Sequence, residues 1–123
     1  MKKKILIIED EAMTLSALKE KFMDEGFYVA VAKNGEEGLE EAFLEKPDLI
    51  LLDIIMPKMD GITMLKKLQN DERGKKIPVI ILTNLSDPDS VYDSIDNGAY
   101  NYLVKTDWSM EDVVKKVRGK LGM

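Results

Sequence analysis

The sequence predicts a doubly wound parallel α/β sheet with five strands and five helices, and three observations carry that reading. Strand-like and helix-like segments alternate along nearly the whole chain. Three strand segments are short aliphatic runs, Ile5-Leu6-Ile7-Ile8, Leu49-Ile50-Leu51-Leu52 and Val79-Ile80-Ile81-Leu82, as expected of strands buried on both faces. Four strands end in residues with chemistry to offer: Glu9-Asp10, Asp53, Thr83 and Lys105. Right-handed crossovers between parallel strands then wind helices onto both faces and bring all four strand ends to one edge.

The elements follow in order. A first strand is expected near residues 4–8, then an amphipathic helix near 12–25 that Gly26 ends. Phe27 to Ala32 reads as the second strand. Asn34-Gly35 opens a helix that stops before Lys46-Pro47, because a residue preceding proline is turned away from helical backbone. The third strand runs from Asp48 to Leu52, and a loop from Pro57 to Gly61 leads into the third helix. Gly74 and Pro78 flank the next loop, and the fourth strand closes at Thr83.

Asp87-Pro88 starts a fourth helix, with Asp as N-cap and proline where no amide donor is needed, and Asn97-Gly98 stops it. Tyr100 to Val104 is the fifth strand. The last helix begins at Ser109 with Asp112 three residues on, close to a capping box, and ends at Gly119 or Gly122. With no repeat, low-complexity tract or linker in 123 residues, positions 1–123 read as a single domain.

Composition narrows the chemistry. The chain has no cysteine and no histidine, which excludes disulfides, thiolate sites and the commonest general base, leaving carboxylate, hydroxyl and lysine. A net charge of −5 with mixed signs argues against direct nucleic-acid binding. No apolar stretch is long enough to span a bilayer, and the segment after Met1-Lys2-Lys3-Lys4 is too short for a signal peptide, so a cytoplasmic protein without membrane contact is expected.

Carboxylates about 4 Å apart repel by roughly 4 kcal/mol per pair at an effective dielectric near 20, and a hard cation removes that conflict. Magnesium prefers oxygen donors and needs only one or two carboxylates besides water and a phosphate oxygen. Asp10 and Asp53 suit direct ligation, with Glu9 acting through a bound water. Lys105 would neutralise one phosphoryl oxygen while Thr83 donates a hydrogen bond to another. Ionised Asp53 is then a nucleophile that forms an acyl phosphate without a base.

Taken together, Ile7-Ile8-Glu9-Asp10-Glu11, Leu52-Asp53-Ile54-Ile55-Met56-Pro57, Asp60-Gly61, Leu82-Thr83 and Tyr102-Leu103-Val104-Lys105 resemble the receiver domain of two-component response regulators. The resemblance runs from about Lys4 to Leu121 and is like that of the stand-alone chemotaxis regulator. It implies a flavodoxin-like fold with strand order 2-1-3-4-5. It also implies that Asp53 accepts a phosphoryl group from a sensor histidine kinase or phosphotransfer protein. Glu9, Asp10, Asp53 and the Ile55 carbonyl would arrange Mg2+, and Thr83 and Lys105 would sense the phosphoryl group. Tyr102 would turn inward as Thr83 moves. The fourth helix, fifth strand and fifth helix would then present a surface to a downstream protein, in a monomer or weak homodimer.

The chain departs from the family pattern at Thr106, where proline is usual after the lysine, and at Asn84, where a small residue is usual. A trans bond or rearranged loop is therefore expected at Lys105-Thr106, since a cis bond to a non-proline residue costs about 2.5–4 kcal/mol. Ile55 and Leu85, two residues past Asp53 and Thr83, are apolar and would hinder hydrolytic water, so a long-lived phosphorylated state is expected.

Other functions have weaker support. A phosphatase would want a second acid where Ile55 stands, and a nucleotide binder would want glycines where Glu9-Asp10-Glu11 stands. The alternative with most in its favour is a receiver-like interaction module that is not phosphorylated. Trp108 has two readings, a cap on the last helix or an interaction anchor.

Overall fold

The strands are β1 (Lys4–Ile8), β2 (Tyr28–Ala32), β3 (Leu49–Asp53), β4 (Val79–Thr83) and β5 (Asn101–Val104), all parallel and ordered β2-β1-β3-β4-β5. The computed structural model describes residues 2–53, 61–83, 101–104 and 109–123, with backbone alone at 61–62, 83 and 101–104. Within these lie α1 (Ala12–Asp24), α2 (Gly35–Glu45), α3 (Gly61–Gln69) and a C-terminal helix, Met110–Lys120. The fourth helix expected from Asp87-Pro88 to Asn97-Gly98 lies outside the described residues, as does the loop that follows Lys105.

Alternating strand residues divide the core in two, as the pleat requires. On one face Leu6, Ile8, Ile50, Leu52, Val79 and Ile81 pack with Ala42 of α2 and with Met64, Leu65 and Leu68 of α3. On the other, Ile5, Ile7, Leu49, Leu51, Ile80 and Leu82 pack with Leu15, Leu18 and Phe22 of α1 and with Val113, Val114 and Val117 of the C-terminal helix. The central strands β1 and β3 are thus sealed on both faces, at about 1.5–3 kcal/mol for each large aliphatic side chain buried. The chain winds one way from β1 to β2 and the other way from β3 onward, so the winding reverses between β1 and β3.

Helix ends follow the local sequence. Asn34 caps α2, its side-chain Oδ1 accepting the Glu37 N–H at 2.9 Å, and left-handed Lys46 closes that helix before Pro47. Ser109 and Asp112 complete a reciprocal capping box, with Ser109 Oγ accepting the Asp112 N–H at 3.2 Å and Asp112 Oδ2 accepting the Ser109 N–H at 3.0 Å. Of the two candidate stops for this helix, Gly122 is the one used: it adopts φ +73°, and the Met123 N–H closes onto the Arg118 carbonyl at 2.8 Å. Gly119 stays inside the helix.

Strand limits differ from expectation at β2 and β3, and β3 begins at Leu49 rather than at Asp48. Phe27 precedes β2 rather than starting it, because its N–H closes the end of α1 onto the Phe22 carbonyl at 3.0 Å around Gly26 at φ +94°. Its ring packs edge-on against Phe22, with 5.4 Å between centroids. Asp53 lies within β3, paired in register with Leu82, rather than just beyond it.

Candidate functional site: an acidic cluster at the reversal of winding

Strand pairing builds this site. Ile8 lies opposite Leu52 in the β1/β3 register, so the next residues, Glu9 and Asp53, come side by side. The Glu9 N–H donates to the Ala32 carbonyl at 3.0 Å, which carries the β1/β2 ladder one residue past the strand. Glu9 is 1% exposed and Asp53 4%, whereas Asp10, in the bend before α1, faces solvent. One carboxylate oxygen from each of the three lies within 4.8 Å of the others. This is the crevice where open α/β sheets hold ligands, at strand C-termini where the winding reverses.

The Glu11 N–H donates to Glu9 Oε1 at 3.2 Å, orienting the buried carboxylate from the loop. The amide directions of the α1 N-terminus, starting at Ala12, favour negative charge nearby. At 4.8 Å and an effective dielectric near 20, each pair of ionised carboxylates repels by about 3.5 kcal/mol or more. Three hard oxygen donors, two of them buried, match a divalent cation of the magnesium type, which takes carboxylates and completes its shell with water. The donor set therefore fits the metal that the sequence implied.

The structure brings Glu9, Asp10 and Asp53 together. Thr83 ends β4 on the same sheet edge and pairs in register with Val104, the residue before Lys105. Tyr102 pairs with Ile81. The side chains of Thr83 and Tyr102, and all of Ile55 and Lys105, lie outside the described residues.

Sequence reasoning passed over Gly38. A Cβ there would sit 2.5 Å from Ile8 Cδ1 and 3.0 Å from its Cγ1, so with glycine α2 lies this close to the end of β1, directly before Glu9, without displacing the Ile8 side chain. A glycine inside a helix costs about 1 kcal/mol relative to alanine, and that cost was the available signal. A cleft between α1 and the sheet edge is lined by Asp10, Ala12, Leu15, Ser16, Lys19, Val31 and Lys33, without Glu9 or Asp53.

The family model described as "Response regulator receiver domain" matches residues 5–118. The chain belongs to the response regulator receiver domain family. Receiver domains are signalling modules of two-component systems that bind Mg2+ at an acidic pocket. Among curated relatives, the alkaline phosphatase synthesis transcriptional regulatory protein PhoP of Bacillus subtilis is 35% identical over 121 residues, covering 98% of this chain and 49% of that protein. The chain spans about half the length of the first such relatives it matches.

Among solved receiver domains, a CheY-like protein of Methanospirillum hungatei superposes with a TM-score of 0.89 at 29% identity, over 99% of this chain and 95% of that one. A second is the CheX-CheY-BeF3-Mg2+ complex of Borrelia burgdorferi, with TM-score 0.84, 31% identity, and coverage of 96% and 88%. Among the described residues, no helix is long and apolar enough to cross a membrane.

Proposed function

We propose that Asp53 is the phosphoacceptor of a signalling switch, carried by residues 1–123 acting as a single receiver domain. The observation that carries this reading is the convergence of Glu9, Asp10 and Asp53 within 4.8 Å at the reversal of winding, with Asp53 in β3 as the buried strand-end carboxylate. An Asp53 oxygen attacks the phosphorus of a phosphohistidine on a partner kinase or phosphotransfer protein. A P–O bond forms as the P–N bond breaks, and the imidazole leaves with the electron pair.

Glu9, Asp10 and Asp53, with the Ile55 carbonyl, would hold Mg2+, which supplies charge neutralisation for the cluster and the incoming phosphoryl oxygens. The Borrelia complex contains BeF3 and Mg2+ together with CheX and CheY, and since BeF3 is a phosphoryl mimic this supports the same assignment here. Thr83 and Lys105 are assigned to the phosphoryl oxygens, and Tyr102 to the two-state element that reports their position.

The responsive surface is the expected fourth helix with β5 and the C-terminal helix, and its target is a downstream protein, as CheX accompanies CheY in the Borrelia complex. We place the protein in the cytoplasm, where histidine kinases present their phosphoryl groups.

Intact mass after incubation with acetyl phosphate tests the reading. A phosphoryl adduct that requires Mg2+ and is lost in Asp53→Ala is expected. A folded protein that takes no adduct would leave the unphosphorylated interaction module as the better account.

A further inference from the structure

The outer surfaces of α2 and α3 carry opposite charges in a pattern that the phosphoryl site does not use. Helix α2, Gly-Glu-Glu-Gly-Leu-Glu-Glu-Ala-Phe-Leu-Glu, contains five glutamates and no basic residue. Glu37, Glu40, Glu41 and Leu44 fall at i, i+3, i+4 and i+7, one stripe of the helix, and Leu44 is 75% exposed at its end. Helix α3 has no acidic residue and carries Lys66 and Lys67 in its last turn. The segment from α3 to β4 adds Arg73, Lys75 and Lys76, all exposed.

These charges are only partly answered within the chain. Glu37 is held by Asn34, Glu45 pairs with Lys4, Arg73 pairs with Asp71, and Lys75 pairs with Glu72. Glu36, Glu40, Glu41, Lys66, Lys67 and Lys76 make no ion pair among the described residues. Glu36 and Glu40, and likewise Glu37 and Glu41, stand four residues apart, where like charges oppose the helix.

Both helices cover the same face of the sheet and run opposite to the strands, since each returns the chain from the end of one parallel strand to the start of the next. The acidic stripe therefore begins toward the edge that holds the phosphoryl site. The basic groups gather toward the other edge, where α3 ends and β4 begins. A two-fold rotation about an axis lying in the plane of this face, perpendicular to the line from its acidic to its basic half, lays the acidic half of one copy on the basic half of another, and does so twice.

We infer that the α2/α3 face pairs isologously with the same face of a second copy of this chain, acidic half on basic half, with Leu44 supplying apolar contact. A partner of a single charge sign would be repelled by one half of the face, whereas a second copy answers both. The pairing needs nothing from Asp53, so it stands or falls separately from the phosphoacceptor reading.

Sedimentation velocity on the unphosphorylated full chain, from micromolar to millimolar, tests it. In low salt a monomer–dimer equilibrium is expected, with a dissociation constant rising at least about tenfold in high salt as the charges are screened. Glu40→Lys/Glu41→Lys and Lys66→Glu/Lys67→Glu should each be monomeric when alone, with unchanged circular dichroism, and should form a heterodimer when mixed. The two are complementary, so a heterodimer also demonstrates that both are folded. A wild-type chain that stays monomeric at millimolar concentration in low salt overturns the inference. So does a dimer that persists in either charge-reversed variant, or a mixture of folded variants that does not associate.

Discussion

Glu9 and Asp53 are neighbours across the β1/β3 pair, one register step beyond Ile8 and Leu52, and both carboxylates are buried within 4.8 Å of each other and of Asp10. These strands are separated in sequence by α1, β2 and α2, so the repulsion between the two acids is imposed by topology rather than by local sequence.

Without a metal, Asp53→Asn should therefore stabilise the protein. It removes one charge from the cluster, and after allowing for solvent reaching Asp10 the gain is about 1–3 kcal/mol. With Mg2+ the order reverses: the wild type should gain thermal stability on Mg2+ addition while Asp53→Asn and Glu9→Gln gain little. Thermal melts in chelator and in millimolar Mg2+ check both halves. A wild type whose midpoint ignores Mg2+ would remove the metal from this site.

Gly38→Ala places a methyl group 2.5 Å from Ile8 Cδ1. The clash should cost about 1–3 kcal/mol by denaturant unfolding, despite the better helix propensity of alanine. Because Ile8 precedes Glu9, the same variant should weaken Mg2+ binding, and Ile8→Val in the Gly38→Ala background should restore part of both.

At the far end of α3, the Arg73 guanidinium grips Asp71 with two hydrogen bonds of 3.0 and 2.8 Å while stacking over the Phe43 ring at 3.8 Å. That guanidinium first, and the Arg73 backbone N–H second, lower the Asp71 pKa from 3.8 to about 2. A depressed folded pKa gives stabilisation that is complete above the unfolded value and is lost as pH falls through the folded one. The wild type should be more stable than Asp71→Asn at neutral pH, with the difference shrinking between pH 3.8 and about 2. A difference independent of pH over that window would show that the carboxylate charge is not what matters.

Ser109→Ala removes the acceptor for the Asp112 N–H and half of the capping box. The expected loss is about 1 kcal/mol by chemical denaturation. The Asp112 carboxyl, held below its usual pKa chiefly by the Ser109 N–H, keeps that contact in the variant. Ser109→Asp should recover most of the lost stability, since aspartate is also a good N-cap.

Phosphorylated protein should lose its phosphoryl group faster once Ile55 or Leu85 is replaced by a polar side chain, because such a group admits and orients water beside the acyl phosphate. The decay of the intact-mass adduct after phosphodonor removal gives the rate directly. Equal rates in the wild type and in Ile55→Asn would rule out apolar cover as the source of a long lifetime.

Much of this protein was legible along the chain. Aliphatic runs marked β1, β3 and β4, Asn34 and Ser109 marked helix starts, and the strand-end positions of Glu9, Asp10 and Asp53 pointed to an acidic edge. These signals are local, set by neighbours within a few residues. Strand order came from family resemblance and not from periodicity, since parallel strands read alike whatever their neighbours.

Tertiary structure alone decided that Glu9 and Asp53 are buried side by side, that a side chain at Gly38 would press on Ile8, and that the charges of α2 and α3 share one face. Each depends on segments far apart in sequence meeting in a fixed register. A chain's local pattern specifies which side of a strand or helix is apolar, but pairing across the sheet specifies which residues meet.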